Sequence, residues 1–319
     1  MTQSQISVAI ATYNGAQFLD AQLASILQQS LPVSEVVVSD DCSTDGSREV
    51  VSAWVERDPR VVLIESSENV GFIKNFERAL RACRGELVAL SDQDDLWMPE
   101  KMRLLTDALG KADLAVSDGI IVDQALNSTG RTIGERFGGG AEATRLDALL
   151  LSPRFPGHTM LFTRELLQKA LPFPEGIAHD WWLSLVAAAE GGIAYSPELL
   201  VLHRQHGGNT LGTTERRRTS RSLIRRVREW PVILANSHRR RIERLDAIVE
   251  AAGAHPVSRM LIVQARRHRR FHRGFFDKRF SPYRGWFYFK THRRSGRSLR
   301  DPFFWWRVFQ AAVGFPGIE

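Results

Sequence analysis

Residues 86–97 read ELVALSDQDDLW. An apolar run long enough for a buried strand stops at a tight group of carboxylates, Asp92, Asp94 and Asp95. Carboxylates this close repel one another. A solvated turn tolerates that repulsion, and a bound cation would remove it. Taken alone an Asp-X-Asp sequence is a weak signal, because acidic loops are common. The surrounding chain has to decide between the two readings.

The same pattern of an apolar run closed by turn residues recurs upstream and downstream. ISVAIA (6–11) is β-branched and stops at TYNG; EVVVSD (35–40) runs into an aspartate pair; RVVLIE (60–65) and DLAVSD (113–118) are again strand-like. Between them, Phe18, Leu19, Leu23, Ile26 and Leu27 recur at helical spacing, which predicts a helix over 16–29. Further helices are predicted near 46–56, where Ser43 and Thr44 offer N-caps, and over 72–83. Another should begin with Pro99 at its first turn, and Asp95 is a candidate cap for it. Strands alternating with helices predict an α/β protein built on a parallel sheet with covered faces. Ligands of such sheets bind beyond the carboxyl ends of the strands, where the clusters at 40–41 and 92–95 fall. There is no GxGxxG and no GxxxxGK[ST], so dinucleotide and P-loop chemistry lose their main support.

Composition narrows the class. The 319 residues are 43% hydrophobic and 25% charged, ordinary for a globular protein. Two cysteines, Cys42 and Cys83, make no disulfide framework and point to a reducing compartment. The opening MTQSQISVAIATYNG lacks a basic n-region, and no run of 18 apolar residues occurs, so neither a signal peptide nor a spanning helix is expected. The net charge of +7 hides a split: residues 1–214 hold 17 basic and 28 acidic side chains, residues 215–319 hold 26 and 8. Two parts are therefore expected, an acidic domain over 1–214 and a basic, aromatic-rich region over 215–319 that seeks an anionic partner.

TYN (12–14), SDDCSTDGS (39–47), NVGFIKNFERAL (69–80), SDQDDLWMPEKM (91–102), GHTMLFTREL (157–166), HDWW (179–182) and HRQHGGN (203–209) occur in this order. The ordered set resembles the family 2 glycosyltransferases, in particular their bacterial rhamnosyltransferase-like branch, over roughly residues 5–212. The resemblance implies the GT-A nucleotide-diphospho-sugar transferase fold, a Rossmann-like mixed sheet, followed here by a basic, mainly helical extension. It also implies an inverting transfer from a nucleoside diphosphate sugar, assisted by Mg²⁺ or Mn²⁺.

The resemblance also assigns residues. Tyr13 would lie against the nucleobase, and Asp41, with Asp40 beside it, would accept from the pyrimidine N–H. Lys74 would sit near the nucleotide. Asp92 would contact the ribose or order the metal shell, and Asp94 would ligate the metal. Asp180 would be the general base, with Trp181 and Trp182 excluding water or offering a face to a sugar. His206 would reach the metal or the diphosphate, and Arg204 is a further diphosphate candidate. Gly157, His158 and Thr159 would form a loop beside acceptor and donor sugar. His203 receives no ligand role. Cys42 stands where a small residue such as glycine is usual, a departure expected to matter little. Each residue type also has a plainer use: core packing for Tyr13 and the tryptophans, capping for Asp40 and Asp41, a solvated helix face for Lys74, and a helix-terminus carboxylate for Asp180.

These expectations combine into a cytosolic, peripherally membrane-associated transferase acting on a saccharide or lipid-linked saccharide in cell-surface polysaccharide synthesis. The basic, aromatic-laced stretches at 216–230, 266–280 and 303–315 suit an anionic membrane surface, with a homodimer interface as the other use of their apolar residues. Two rivals remain. A sugar-phosphate nucleotidyltransferase would want a glycine-rich, arginine-containing loop after the first strand, which TYNGAQFLD lacks. A nucleic-acid-binding protein using the tail would leave the acidic motifs without a purpose.

Overall fold

The computed structural model describes residues 5–207, 223–257 and 259–274. The chain forms two compact units, Met1–Thr144 with Pro153–His206, and Arg145–Ser152 with Gly207–Glu319. The boundary expected at 214 and the aromatic stretch at 303–315 lie outside the described residues.

The first unit opens as strand and helix in alternation: β1 (Ile6–Thr12), α1 (Ala16–Leu27), β2 (Glu35–Asp40), α2 (Ser47–Arg57), β3 (Val61–Glu65), α3 (Phe72–Ala82) and β4 (Leu87–Ser91). It continues through β5 (Leu96–Trp97), α4 (Lys101–Leu109), β6 (Leu114–Val122), β7 (Ser128–Thr132) and α5 (Ile133–Phe137). In chain order, α6 (Leu146–Leu149) falls in the second unit; β8 (Met160–Thr163), α7 (Arg164–Ala170), α8 (His179–Ala189) and β9 (Ile193–Arg204) return to the first. The nine strands form one sheet in the order β3-β2-β1-β4-β8-β6-β9-β5, with β7 on β6.

The sheet is parallel from β3 through β2 and β1 to β4, and again between β6 and β9. β8 is antiparallel to both β4 and β6, and β5 is antiparallel to β9. The sheet is thus the mixed one that the resemblance implies, where the strand–helix alternation alone predicts a parallel one. No helix intervenes between β6 and β7, so the crossover that parallel neighbours need is missing and the two pair antiparallel. Val8, Ile10, Val36, Val38, Ala89 and Leu161 are fully buried in the core against Leu19, Leu23 and Ile26 of α1. Asn75, buried on α3, donates to the carbonyls of Thr12 and Ser39, at 3.2 and 2.9 Å, and locks that helix across the ends of β1 and β2.

Three local expectations change. α4 is capped by Glu100 and starts at Lys101, so Pro99 precedes the first turn; its carbonyl accepts from Ser30 N–H at 2.9 Å instead. Asp95 does not cap that helix. α2 is preceded by Gly46 with no side-chain cap from Ser43 or Thr44, and Asp45 takes the Ser47 N–H. Cys42 has φ of 66°, the left-handed region. What this position demands is therefore a backbone conformation, which glycine adopts freely and an L residue adopts at some cost, rather than a small side chain.

In the second unit α9 (Leu223–Ala254) and α10 (Arg259–Gly274) are helices, as the mainly helical extension requires. Leu261, Ala265, His268 and His272 are buried at a helical 4-3-4 spacing, while Arg266, Arg267 and Arg270 stay exposed. Asp246 of α9 pairs with Arg269 at 2.6 Å and Arg273 at 3.4 Å. Among the described residues no helix is long and apolar enough to cross a membrane.

Candidate active site

The loops after β1, β2 and β4 leave one edge of the sheet, and side-chain hydrogen bonds stitch them together. Gln93, the middle residue of DQD, accepts from Thr12 Oγ1 at 2.7 Å and from Tyr13 N–H at 2.9 Å, and donates to the Tyr13 carbonyl. Asn14 accepts from Thr44 N–H, and its own N–H donates to Ser43 Oγ, both at 2.9 Å. Tyr13 is 49% exposed, which excludes core packing for its ring. Asp40 is buried, accepts from Ser43 N–H and pairs with Arg48 at 2.8 Å, so its visible work is local. The Asp41 carboxylate accepts from Val70 N–H at 3.0 Å and Gly71 N–H at 2.8 Å, joining the β2 end to the NVG turn. Lys74 is exposed on α3.

Two strands bring histidines to the DQDD loop. β9 pairs with β5 and returns HRQH to it. His206 Nε2 lies 2.7 Å from Asp94 Oδ2, and Arg204, 8% exposed, donates to the carbonyls of Asp94 at 2.9 Å and Gln124 at 2.6 Å. That guanidinium holds the loop from behind. His158, in a short 3₁₀ turn over Gly157–Thr159, places Nδ1 2.7 Å from Asp92 and 3.2 Å from Asp95. Its ring stacks on His203 at 4.7 Å, and His203 Nδ1 lies 3.1 Å from Asp95.

The charges explain one another. Burial works against a charged His158, but Asp95 and Asp92 outweigh it and raise its pKa to about 9, so it is an imidazolium at neutral pH. Loss of water works against Asp92 too, and the His158 hydrogen bond and charge bring its pKa down to about 2. Asp94 goes the other way. Burial first, then repulsion from Asp95 and Asp92, push it up to about 6 despite His206. A buried carboxylate disfavoured in this manner gains most from a cation. Asp92, Asp94 and Asp95 present oxygens within 4.8 Å of one another, a hard donor set that fits Mg²⁺ or Mn²⁺. Asp95, His158 and His203 lie equally close together, but His158 carries its proton between two carboxylates and is better occupied as a counter-charge.

Asp180 is the second residue of α8 and accepts from Trp181 N–H at 2.6 Å. It faces the 157–159 turn closely: a Cβ on Gly157 would lie 3.3 Å from His179 Nε2 and 3.7 Å from Asp180 Cβ. Gly157 therefore lets the turn approach Asp180. Thr159 is buried and donates its hydroxyl to the Pro156 carbonyl at 2.7 Å. Trp181 and Trp182 are 6% and 0% exposed, and Trp182 Nε1 donates to the Ala170 carbonyl at 3.0 Å; both pack as core residues do.

The structure thus gathers Asp92, Asp94, His158, Arg204 and His206 about one loop. Tyr13 is joined to that loop by Gln93, while Asp40, Asp41 and Lys74 lie toward α3. Sequence reasoning passed over Gln93, Asp95 as a buried counter-ion, His203 and Lys101. Lys101 is fully buried, 3.5 Å from the Trp97 ring centre, and donates to the His158 carbonyl at 2.6 Å.

Residues 7–171, more than half of the chain, match the family model described as Glycosyl transferase family 2. The chain belongs to glycosyltransferase family 2. Membership sets aside the nucleotidyltransferase alternative. Among relatives, an uncharacterized glycosyltransferase of Nostoc sp. is 29% identical over 64% of this chain and 66% of its own length. TuaG of Bacillus subtilis, a putative teichuronic acid biosynthesis glycosyltransferase, is 34% identical over 30% of this chain and 38% of its own. RfbG of Shigella flexneri, a dTDP-rhamnosyl transferase, is 27% identical over 64% and 73%. The transferase thus spans just under two thirds of the first of these relatives and much less of the second. Two solved structures share the GT-A fold. S. aureus TarS 1–349 in complex with UDP-GlcNAc has a TM-score of 0.57 at 18% identity, covering 97% of this chain and 81% of that one. The mannosyltransferase PcManGT of Pyrobaculum calidifontis, in complex with GDP-Man and Mn²⁺, has a TM-score of 0.52 at 20% identity, covering 98% and 86%.

Proposed function

We propose that this transferase moves a sugar, with inversion, from a nucleoside diphosphate donor such as dTDP-rhamnose or a UDP-sugar to a saccharide or lipid-linked saccharide acceptor in cell-surface polysaccharide synthesis. The observation that carries this reading is the placement of Asp180, at a helix N-terminus, across the Gly157 turn from a loop holding Asp92 and Asp94. Donors bound by TarS and PcManGT, and the names of RfbG and TuaG, support the substrate class. Calorimetry with UDP, GDP and dTDP, with and without Mn²⁺, tests it; no nucleotide binding under any of these conditions would overturn it.

In this reading Asp180 takes the proton of the acceptor hydroxyl as that oxygen bonds to the anomeric carbon. The bond to the diphosphate breaks on the opposite face. An α-linked donor then gives a β-linked product, and a β-linked donor the reverse. Asp94, with Asp92 and His206 at its sides, would hold a divalent ion, which when bound offsets the charge of the departing diphosphate. Tyr13 offers an exposed ring to the nucleobase, and Asp41 a carboxylate to a ring N–H.

Gln93 fixes Tyr13 from two sides, so its removal should be felt in donor binding rather than in folding. Gln93→Ala is expected to weaken nucleotide affinity roughly fivefold, the scale of one net hydrogen bond. Calorimetry with UDP or dTDP checks it, and unchanged affinity would detach Gln93 from the nucleotide.

The 26 basic residues beyond 214 underlie a second part of the proposal, peripheral attachment to the cytoplasmic face of a membrane. Each basic side chain near an anionic leaflet contributes roughly 1 kcal/mol, weakened by salt. The full chain is expected to co-sediment with phosphatidylserine-containing liposomes at low salt and to dissociate at high salt. A chain that stays in the supernatant at low salt would leave the tail to an interface between copies.

A further inference from the structure

A cavity of about 700 Å³ lies between α3 and the loop 172–176. Its volume is that of a small-molecule site. Tyr13, Asp92 and Asp94 take no part in its lining. We propose that this cavity seats a neutral sugar ring of the acceptor, and that Lys74 serves this ring rather than the nucleotide. The inference rests on the glycosyl-transfer reading above.

Position comes first. One wall is the turn at Val70 and Gly71, whose N–H groups are held by Asp41, the carboxylate assigned to the nucleobase side. The opposite wall, Pro172 to Gly176, leads directly into α8, whose second residue is Asp180. Phe72 and Phe173, one on each wall, lie 6.0 and 5.9 Å from the ring of His179, the neighbour of Asp180. One wall of the cavity is thus tied to the carboxylate assigned to the nucleobase and the other to the segment that carries Asp180, the sides an acceptor has to reach.

Chemistry selects the occupant. Two of the cationic side chains in the lining are already engaged: Arg78 by Ser39, Asn75 and Asp41, and Arg81 by Glu77 at 2.6 Å. Glu77 also accepts from Phe173 N–H at 2.9 Å, which fixes the two walls to each other. Lys74 and Glu175 remain, exposed and facing the same space from opposite walls. One donor cation and one acceptor anion suit a polyol, whose hydroxyls both accept and donate. A phosphate or uronate would meet Glu175. Phe72, 46% exposed at the rim, offers an apolar face to the C–H side of a pyranose.

Saturation-transfer NMR with methyl glycosides of rhamnose, glucose, galactose and mannose tests the assignment on the full chain, in the presence of Mn²⁺ and a nucleoside diphosphate. At least one glycoside should give a signal with wild type, and Phe72→Ala and Lys74→Met should each weaken it roughly fivefold, about what one ring contact or hydrogen bond provides. Nucleotide affinity by calorimetry should stay at the wild-type value in both variants, which also shows that they fold. No glycoside signal with wild type, or a signal that Phe72→Ala leaves unchanged, overturns the cavity as a sugar site. Loss of nucleotide affinity in Lys74→Met returns Lys74 to the donor. If wild type binds a glycoside but none of UDP, GDP and dTDP, the transfer reading fails while the sugar site stands.

Discussion

Asp180→Asn should bind donor with nearly wild-type affinity and turn over at least ~100-fold more slowly, the usual scale for a missing general base. The substitution keeps the shape of the side chain and the oxygen that accepts from Trp181 N–H, so α8 loses little. What it removes is the site for the acceptor proton. The adjacent His179 does not replace it. Burial lowers its pKa, its side chain is 6% exposed, and three phenylalanines surround it, with Phe76 at 4.4 Å. Asp180 is only half-buried and stands at the open end of its helix. Initial rates with saturating donor, compared with calorimetric donor affinity, separate the two roles. A variant that transfers at the wild-type rate would reduce Asp180 to a carboxylate that stabilises the N-terminus of its helix.

The sequence was most legible where pattern and burial share one cause. β1, β2 and β4 are apolar on both faces because helices cover both, and each strand lies within one residue of the run read from the sequence. The clusters at 40–41 and 92–95 do fall at the carboxyl ends of β2 and β4, where the rule for parallel sheets looks for ligands. The second half of the sheet was not legible in that way. β5 is two residues long, and β9 joins the sheet through partners far away in sequence. Local periodicity carries no information about either.

Side-chain roles divided on the same line. Asp94 and His206, both singled out because each belongs to a motif, lie 2.7 Å apart. Asp95 and Lys101 belong to the same motif, yet each looks like a helix-start residue: an acid before a helix, a lysine on its first turn. Only the fold shows that both are buried, facing His158 from different sides. His203 is a similar case, because a histidine on a strand gains a partner only when that strand finds its neighbour. Charged residues with satisfied buried partners are invisible to a sequence rule that places charge outside.

Asp94→Asn should abolish the metal-dependent part of donor binding and, in the metal-free protein at neutral pH, raise the melting temperature. The first effect follows from the donor set. An amide brings no charge to a cation, and the ionisation of Asp94 is opposed by burial and by its carboxylate neighbours. The second follows from linkage. Burial and the repulsion of Asp95 and Asp92 lift Asp94 from an ordinary 3.8 to about 6. The folded protein therefore holds a proton that the unfolded chain gives up between those values, and stability falls as pH rises through that window. Above about 6 the whole penalty is present. It corresponds to an energy on the order of 3 kcal/mol, with the opposing His206 contact already included. Asn removes the charge and keeps an oxygen for His206, so a gain of a few degrees is expected, at roughly 2–4 °C per kcal/mol for a domain of this size. At pH 4, where wild-type Asp94 is itself protonated when folded, the two proteins should melt together. Thermal melts at pH 4 and pH 7.5 in EDTA, with calorimetry of UDP or dTDP plus Mn²⁺ at pH 7.5, check both halves. Unchanged metal-dependent affinity would sink the ligand role. A variant that melts lower than wild type at pH 7.5 would show that the Asp94–His206 pair holds the loop more strongly than the crowded carboxylates strain it.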